Sequence, residues 1–185
     1  RDSVYRLSFR DPGAFWYNDG LRPDLSRSMV GYGNILVTPR DETYWNPVDR
    51  EVPILIGEMQ LDSLGLAPFR KNTMDHALLG RFGNVFLANG ESEYLLTLKR
   101  MEYVRFHVTN TCNSRVLYLV TNQHWMKVVG SDIGKYEVSQ LSPGEILAPG
   151  ERVSYEVLFR DTGEVKLYHE MPDRLLLLGR IHVSD

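Results

Sequence analysis

Turn signals recur so often between short runs of β-forming residues that the chain has little room for long helices. Within residues 128–159 the runs are interrupted at Gly130-Ser-Asp-Ile-Gly134, Ser142-Pro-Gly144 and Pro149-Gly150. Strands joined by turns this short pair antiparallel, because a parallel connection needs a crossover of about a dozen residues. Alternation in the last run puts four large apolar residues on one face, namely Val153, Tyr155, Val157 and Phe159. The stretch therefore predicts an antiparallel sheet with one buried face.

The same pattern extends over the whole chain and predicts an all-β, Greek-key sandwich or barrel of at least ten short strands. The segments Val4–Phe9 and Ala14–Tyr17 are expected to form a hairpin around a turn at Pro12 and Gly13. Residues 39–50 contain two prolines and read as a connecting segment. Short helices are expected at Pro23–Met29 and Thr73–Leu79, so helix is a minor component.

Composition excludes several classes of function. The 185 residues are 43% hydrophobic and can bury a proper core, while a net charge of −3 gives no electrostatic case for binding nucleic acid or an anionic membrane. Apolar runs such as Leu175–Leu178 are far shorter than a membrane span. The single cysteine, Cys112, excludes an intrachain disulfide and a paired-cysteine metal site.

A few residues supply the types needed for a copper site. Type 1 copper takes two imidazoles and a thiolate, with a weak axial thioether that Met101 or Met126 could provide. The candidate ligands are scattered along the chain: His76, His107, Cys112, His124, His169 and His182. A type 1 site normally draws its Cys, His and Met ligands from one late loop, and these residues are not spaced that way. No HxH, HxxxH or HExxH pattern occurs either. No metal ligand is therefore assigned.

Each histidine also has a structural explanation. His76 is expected to organise a loop, whereas alternation with apolar neighbours places His107 and His182 on exposed polar faces. His124 and His169 could each form half of a weak surface metal site. For hydrolase chemistry there is no Gly-x-Ser-x-Gly elbow, and the candidate aspartates lie beside turn signals. No catalytic residue is predicted.

Four phrases, in order along the chain, resemble the multicopper oxidases. They are Phe82-Gly-Asn-Val-Phe-Leu-Ala-Asn-Gly90, Tyr103-Val-Arg-Phe-His-Val-Thr-Asn-Thr-Cys-Asn-Ser-Arg115, Val129-Gly-Ser-Asp-Ile-Gly134 and Leu147-Ala-Pro-Gly-Glu-Arg-Val153. They are similar to segments of the family's second domain. Upstream, Pro12-Gly-Ala-Phe-Trp-Tyr17 and Gly31-Tyr-Gly-Asn-Ile-Leu-Val37 are similar to the end of its first domain. The resemblance implies a cupredoxin-like domain over residues 46–185, with residues 1–45 as the closing strands and short helix of a preceding cupredoxin unit packed against it.

The departures from the family pattern bear on function. The family places a copper-ligating His-x-His pair directly after Trp-Tyr, but this chain has Asn18 and Gly20 there. Cys112 lies in a turn without flanking histidines, unlike the family's His-Cys-His run. The expectation is a non-catalytic scaffold piece of a laccase-like oxidase, excised or engineered, with no cofactor of its own although copper is the cofactor of the family.

Alternative expectations are a copper protein with a non-native His or Cys112 site and weak oxidase activity, or a partner-binding β-sandwich. The expected partners are neighbouring cupredoxin domains, or a second copy held through the exposed former interface. The family implies a secreted or periplasmic location.

Overall fold

The computed structural model describes residues 4–69, 73–123, 125–132 and 134–185. Two helices are present, α1 (Pro23–Ser28) and α2 (Thr73–Leu79). The strands are β1 (Gly13–Asn18), β2 (Tyr32–Val37), β3 (Arg50–Met59), β4 (Leu61–Asp62), β5 (Gly65–Leu66), β6 (Val85–Ala88), β7 (Tyr94–Lys99), β8 (Tyr103–Asn110), β9 (Leu117–Thr121), β10 (Met126–Ser131), β11 (Gly134–Ser142), β12 (Gly144–Leu147), β13 (Arg152–Leu158), β14 (Gly163–Met171) and β15 (Arg174–Ser184). The prediction of an all-β chain with two short helices is confirmed.

Two large sheets form the body of the molecule. The first has six strands in the order β11-β10-β13-β8-β3-β6, and the second has five in the order β12-β9-β14-β15-β7. Pairing is antiparallel except between β3 and β8 and between β7 and β15. The two sheets form an open sandwich rather than a closed barrel, so the described strands have free edges at β11, β6, β12 and β7.

The core lies between the two sheets and consists of alternate residues of their strands. The four apolar residues predicted to share a face of β13 are all buried in it. Phe106 of β8 stacks on Tyr155 of β13 at 5.2 Å between ring centroids, and its ring meets Phe159 edge-on at 6.2 Å. Leu98 of β7 and Val165 of β14 face them from the other sheet. Burying such side chains is the main favourable contribution to folding.

The N-terminal residues differ from their prediction. Residues 4–9 form no strand, and Val4, Tyr5 and Leu7 are exposed. Strand β1 instead pairs with β2, from Gly13 opposite Val37 to Asn18 opposite Tyr32. Alternation of residue types was present in residues 4–9, but a strand also requires a partner, and none of the described strands pairs with this segment.

The β1–β2 hairpin and α1 lie against the end of the six-stranded sheet. The guanidinium Nε of Arg152 donates to the carbonyl of Ala14 at 3.0 Å. Asn113 donates through Nδ2 to the carbonyl of Asp24 at 2.8 Å and to the hydroxyl of Ser28 at 2.7 Å. These bonds join residues far apart in sequence and fix the position of the hairpin on the sandwich.

Residues 38–49, here termed the strap, connect β2 to β3 across the outer face of the six-stranded sheet. Tyr103 donates its amide to Asp49 Oδ2 at 2.7 Å, and the Asp49 amide donates to the Tyr103 carbonyl at 2.8 Å. Lys135 Nζ donates to the carbonyl of Tyr44 at 2.7 Å. The Trp45 ring lies against Gly130, where an added Cβ would come within 3.0 Å of it. The strap is therefore tied to β8, β10 and β11.

The segment between β3 and β6 contains more structure than predicted. Leu61 ends a run that is typical of a strand, whereas the sequence from Asp62 onward is typical of a loop; residues 61–66 instead form the two-residue strands β4 and β5. The side chain of Asn84 holds this hairpin, since it accepts from the Leu61 amide at 2.8 Å and donates to the Leu61 carbonyl at 2.9 Å. Among the described residues, neither helix has the length and apolar content needed to cross a membrane.

Candidate functional site

The sequence resemblance implies that the family's copper-ligating histidine pair corresponds to positions 18 and 20, at and just beyond the end of β1. Asn18 occupies the last position of β1, and the chain then turns at Asp19, whose carboxylate accepts from the Leu21 amide at 2.9 Å. Gly20 lies in the exposed turn, with no other atom within 4 Å of an added Cβ. Neither position offers an imidazole. The residues present here do not fit the family's trinuclear copper cluster.

His107 is buried, so the prediction that it is exposed is wrong. Its side chain is 1% exposed and lies beneath the strap, with Trp45 edge-on at 6.4 Å between ring centroids. Nδ1 is 2.8 Å from the Ser154 hydroxyl, and Nε2 lies 4.0 Å from Glu51 Oε1 without a hydrogen-bond partner among the described residues. Alternation placed His107 correctly on the face opposite the core, but that face is covered by the strap rather than by water.

His169 is also buried and is not half of a surface metal site. It lies on the inward face of β14 with Val165 and Leu167, and Nδ1 accepts a hydrogen bond from the Tyr118 amide at 3.1 Å. Burial lowers the pKa of His169 below its ordinary value. His169 follows Leu167 by two residues and Val165 by four, and residues at this spacing in a strand share a face. That spacing was the sequence signal for its burial.

The remaining candidate ligands are dispersed. His182 is exposed on β15, His76 is half-buried on α2, and His124 lies outside the described residues. Cys112 is 1% exposed, with its sulfur 4.0 Å from the carbonyl of Ile56, and burial raises the pKa of its thiol. Such a thiol is inert as a nucleophile.

The two candidate thioethers lie apart as well. Met126 is buried in the core, whereas Met101 is 58% exposed. In the part of the chain that the structure describes, no three His, Cys, Asp or Glu side chains are placed to hold a metal ion.

Sequence reasoning missed the main polar cluster, which is centred on Arg105 and Glu156 on the outer face of the six-stranded sheet. Both side chains are at most 2% exposed, and Arg105 donates to Glu156 Oε1 through Nε at 3.1 Å and Nη2 at 2.7 Å. Arg105 Nη1 also donates to Glu51 at 2.6 Å. The signal was present in the two strands, because Arg105 and Glu156 alternate with apolar core residues and are register partners.

Further donors complete the cluster. Glu156 Oε2 accepts from the Tyr103 hydroxyl at 2.5 Å and from Lys127 Nζ at 3.0 Å. The strap covers the cluster, since the Trp45 ring lies 4.8 Å from the Arg105 guanidinium and the Asn46 carbonyl accepts from Arg105 Nη2. Glu156 accepts four hydrogen bonds, all of them from side chains of this protein. The cluster therefore fixes the strap and does not present a reactive group.

A second buried ion pair anchors the loop after β8. Arg115 Nε donates to Glu58 at 2.7 Å, and its guanidinium lies 4.9 Å and 5.0 Å from the rings of Phe82 and Phe86. Burial raises the pKa of Glu58 despite this partner. The pair joins β3 to residues 111–116.

Acid should destabilise the fold in two steps. Hydrogen bonds from Tyr103, Arg105 and Lys127 outweigh the effect of burial and lower the pKa of Glu156. A lowered pKa means that the group stabilises the fold above its unfolded pKa and loses that effect as the pH falls through its folded pKa. The free energy of unfolding should therefore fall below about pH 6.5 through His169 and again below about pH 4.3 through Glu156.

Urea unfolding measured from pH 8 to pH 3 tests this expectation, with Glu156→Gln as the comparison. That variant should show a shallower acid limb, because its amide does not titrate. Glu58 acts in the opposite direction, since its raised pKa makes protonation favourable to the fold. An acid limb as steep in Glu156→Gln as in the parent would contradict the assignment to Glu156.

The architecture defines the class of protein: two packed Greek-key sheets form a cupredoxin-like β-sandwich. No protein-family model and no curated protein matches the sequence. Solved structures do match, and they are multicopper oxidases. McoA from the hyperthermophile Aquifex aeolicus aligns over 97% of this chain and 43% of its own, with a TM-score of 0.79 and 21% identity.

Two further oxidase structures give the same result. The multicopper oxidase from Pseudomonas thermotolerans aligns over 95% of this chain and 42% of its own, with a TM-score of 0.78 and 21% identity. Lac15 from a marine microbial metagenome aligns over 94% and 42%, with a TM-score of 0.73 and 26% identity. The resemblance to multicopper oxidases is confirmed at the level of the fold, and the chain spans about two fifths of the length of these structures.

Proposed function

We propose that this chain is a scaffold portion of a laccase-like multicopper oxidase and carries none of the copper ligands itself. The observation that supports the proposal is the end of β1, where Asn18 is the last residue of the strand and Gly20 lies in an exposed turn, so neither position after the Trp-Tyr phrase offers an imidazole. The alignment with about two fifths of several oxidases supports a partial rather than a complete oxidase unit. Electron transfer and dioxygen reduction would then belong to other domains.

The proposal also divides the chain into two units. Residues 1–45 would be the closing strands and helix of a preceding cupredoxin unit, and residues 46–185 a whole second domain. The separate β1–β2 sheet and its few long-range side-chain bonds to the sandwich support this division. In the parent enzyme the sandwich would hold its neighbours so that they share copper sites.

The outer face of the five-stranded sheet fits contact with such a neighbour. Ile146, Leu175 and Leu177 are 69%, 55% and 37% exposed and lie on β12 and β15. Tyr118 and Tyr168 lie between them on the intervening strands, which makes the patch continuous across the sheet. Contiguous apolar surface of this kind is typical of an interaction site. The proposed occupant is an adjoining cupredoxin domain of the oxidase.

Copper titration tests the proposal. The purified chain, loaded with Cu(II) or Cu(I) and dialysed, should retain no stoichiometric copper and show no intense visible band, because its imidazoles and thiol do not converge. Cys112→Ser is the matched control and should behave identically. One retained copper with a strong band that Cys112→Ser abolishes would establish a type 1 site. One copper without the band would establish a histidine site, and either result would overturn the scaffold proposal.

A further inference from the structure

A cavity of about 340 Å³ lies where α1, α2 and the loop after β8 meet. Its walls include the aromatic ring of Phe69, the methyl group of Ala77 and the polar side chains of His76, Arg81 and Ser114. None of these residues takes part in the Arg105–Glu156 cluster or in the Glu58–Arg115 pair. The scaffold role proposed above leaves this cavity unexplained.

Arg81 is the unusual residue of the cavity. It is 8% exposed, and the partners of its Nη atoms among the described residues are backbone carbonyls, the shortest bond being to Ala67 at 2.9 Å. Arg105, Arg115 and Arg152, whose side chains are 2%, 16% and 17% exposed, each hold a carboxylate. Arg81 has no carboxylate partner among the described residues, and burial lowers its pKa. A buried cation without a counter-charge is costly and rare.

A second arginine shares the same aromatic ring. The guanidinium carbons of Arg81 and Arg22 lie 5.0 Å and 5.3 Å from the ring centroid of Phe69. Asp24 also lines the cavity, but its carboxylate is held by Arg22 at 2.9 Å and neutralises that charge. Two cations and one anion leave an excess of positive charge, which an anion entering the cavity would compensate.

Open hydrogen-bonding groups flank Arg81. In the described part of the chain, the His76 imidazole and the Ser114 hydroxyl have no hydrogen-bond partner, although both line the cavity. The Ser114 hydroxyl lies over Gly80, where an added Cβ would meet it at 2.7 Å. Guanidinium, hydroxyl and imidazole therefore line one volume together with the apolar Phe69 and Ala77, and Asp24 and Asn113 complete the wall.

We propose that this cavity binds a small organic acid, with its carboxylate on Arg81 and its apolar body against Phe69 and Ala77. A planar guanidinium matches a carboxylate in shape and charge. A monoanion suits the site better than phosphate, which carries a charge of about −1.5 to −2 at neutral pH, because the two arginines and Asp24 together leave an excess of only one positive charge. The apolar wall adds affinity for a ring or an alkyl group.

The test is a titration of the whole 185-residue chain with benzoate, followed by amide chemical shifts and calorimetry. Benzoate should bind saturably in a 1:1 ratio and shift the amides of Ala77 and Ser114. Benzamide, its neutral analogue, and inorganic phosphate should bind at least about tenfold more weakly, because each lacks either the charge or the apolar body. Equal binding of benzamide, tighter binding of phosphate, or no saturable binding of benzoate would overturn the proposal.

Variants locate the site. Arg81→Gln should weaken benzoate binding at least about tenfold, the equivalent of a lost charge-assisted pair. Arg27→Gln is the matched control, because Arg27 also lies over an aromatic ring, 4.6 Å from Trp16, and has its pKa lowered by burial, but it is outside the cavity. If Arg81→Gln does not fold, Ser114→Ala and His76→Ala test the site in its place. Each of them should weaken benzoate binding about threefold or more. Unchanged binding in these variants would refute the assignment.

Discussion

Replacing Glu156 by alanine should lower the free energy of unfolding by about 3–5 kcal/mol, the range expected when one partner of a buried ion pair is removed. The variant leaves Arg105, which is 2% exposed, without its bidentate partner and leaves Tyr103 and Lys127 without their shared acceptor. Glu51 compensates only in part, because it pairs with a different nitrogen of Arg105 and is itself partly exposed. Urea unfolding at pH 7 measures the difference.

Glu164→Ala is the matched control for this substitution. Glu164 also has two basic partners, Lys166 at 3.4 Å and Arg180 at 3.6 Å, but all three side chains are at least one third exposed. Its removal should cost about 0–1 kcal/mol, as is usual for surface ion pairs. If Glu156→Ala costs no more than Glu164→Ala, the Arg105–Glu156 cluster does not hold the strap to the sheet.

Leu98→Ala should destabilise the fold by about 2–5 kcal/mol, because truncating a buried leucine loses apolar burial and leaves a cavity. Leu98 is 1% exposed and belongs to the core cluster between the two sheets. It lies on β7, an edge strand whose partner is β15, so neighbouring strands cannot close over the cavity from the free side.

The same strand provides the comparison. Leu95 of β7 is 60% exposed on the outer face, so Leu95→Ala should change the free energy of unfolding by no more than about 0.5 kcal/mol. Both variants remove the same atoms from the same strand, which isolates the effect of facing the core. Equal effects in the two variants would show that β7 is paired with β15 in a register different from Tyr94 opposite Gly179.

Features of the fold that follow from the residue pattern within a strand could be predicted from the sequence. Features that depend on contacts between distant segments could not. Alternation in residues 153–159 identified the core face of β13. Asn89-Gly90 is likewise a local pattern, a dipeptide typical of tight turns, and both residues have positive φ, 51° and 85°. The burial of His107 and Arg105 depends instead on Trp45 and Asn46, about sixty residues earlier in the chain. No periodicity within β8 carries that information.

Candidate sites, like the fold, could be predicted only where they depend on neighbouring residues in the sequence. The absence of histidine at positions 18 and 20 was readable in the sequence because it is a local departure from a motif. The cavity beside Arg81 was not, since it joins residues from α2 and from the loop after β8. An arginine without a carboxylate partner looks like any other arginine until the surrounding chain is folded.

The parallel pairing of β7 with β15 has a consequence for how the chain acquires its structure. Tyr94 pairs with Gly179 and Lys99 with Ser184, so the edge strand of the five-stranded sheet cannot complete its pairing until the much later strand β15 has been synthesised. Contacts of such high sequence separation slow folding, because a long loop must close before any of them forms. During translation, Leu98 and its neighbours would remain uncovered until β15 leaves the ribosome. That interval is when this sandwich is most exposed to misassembly with other chains.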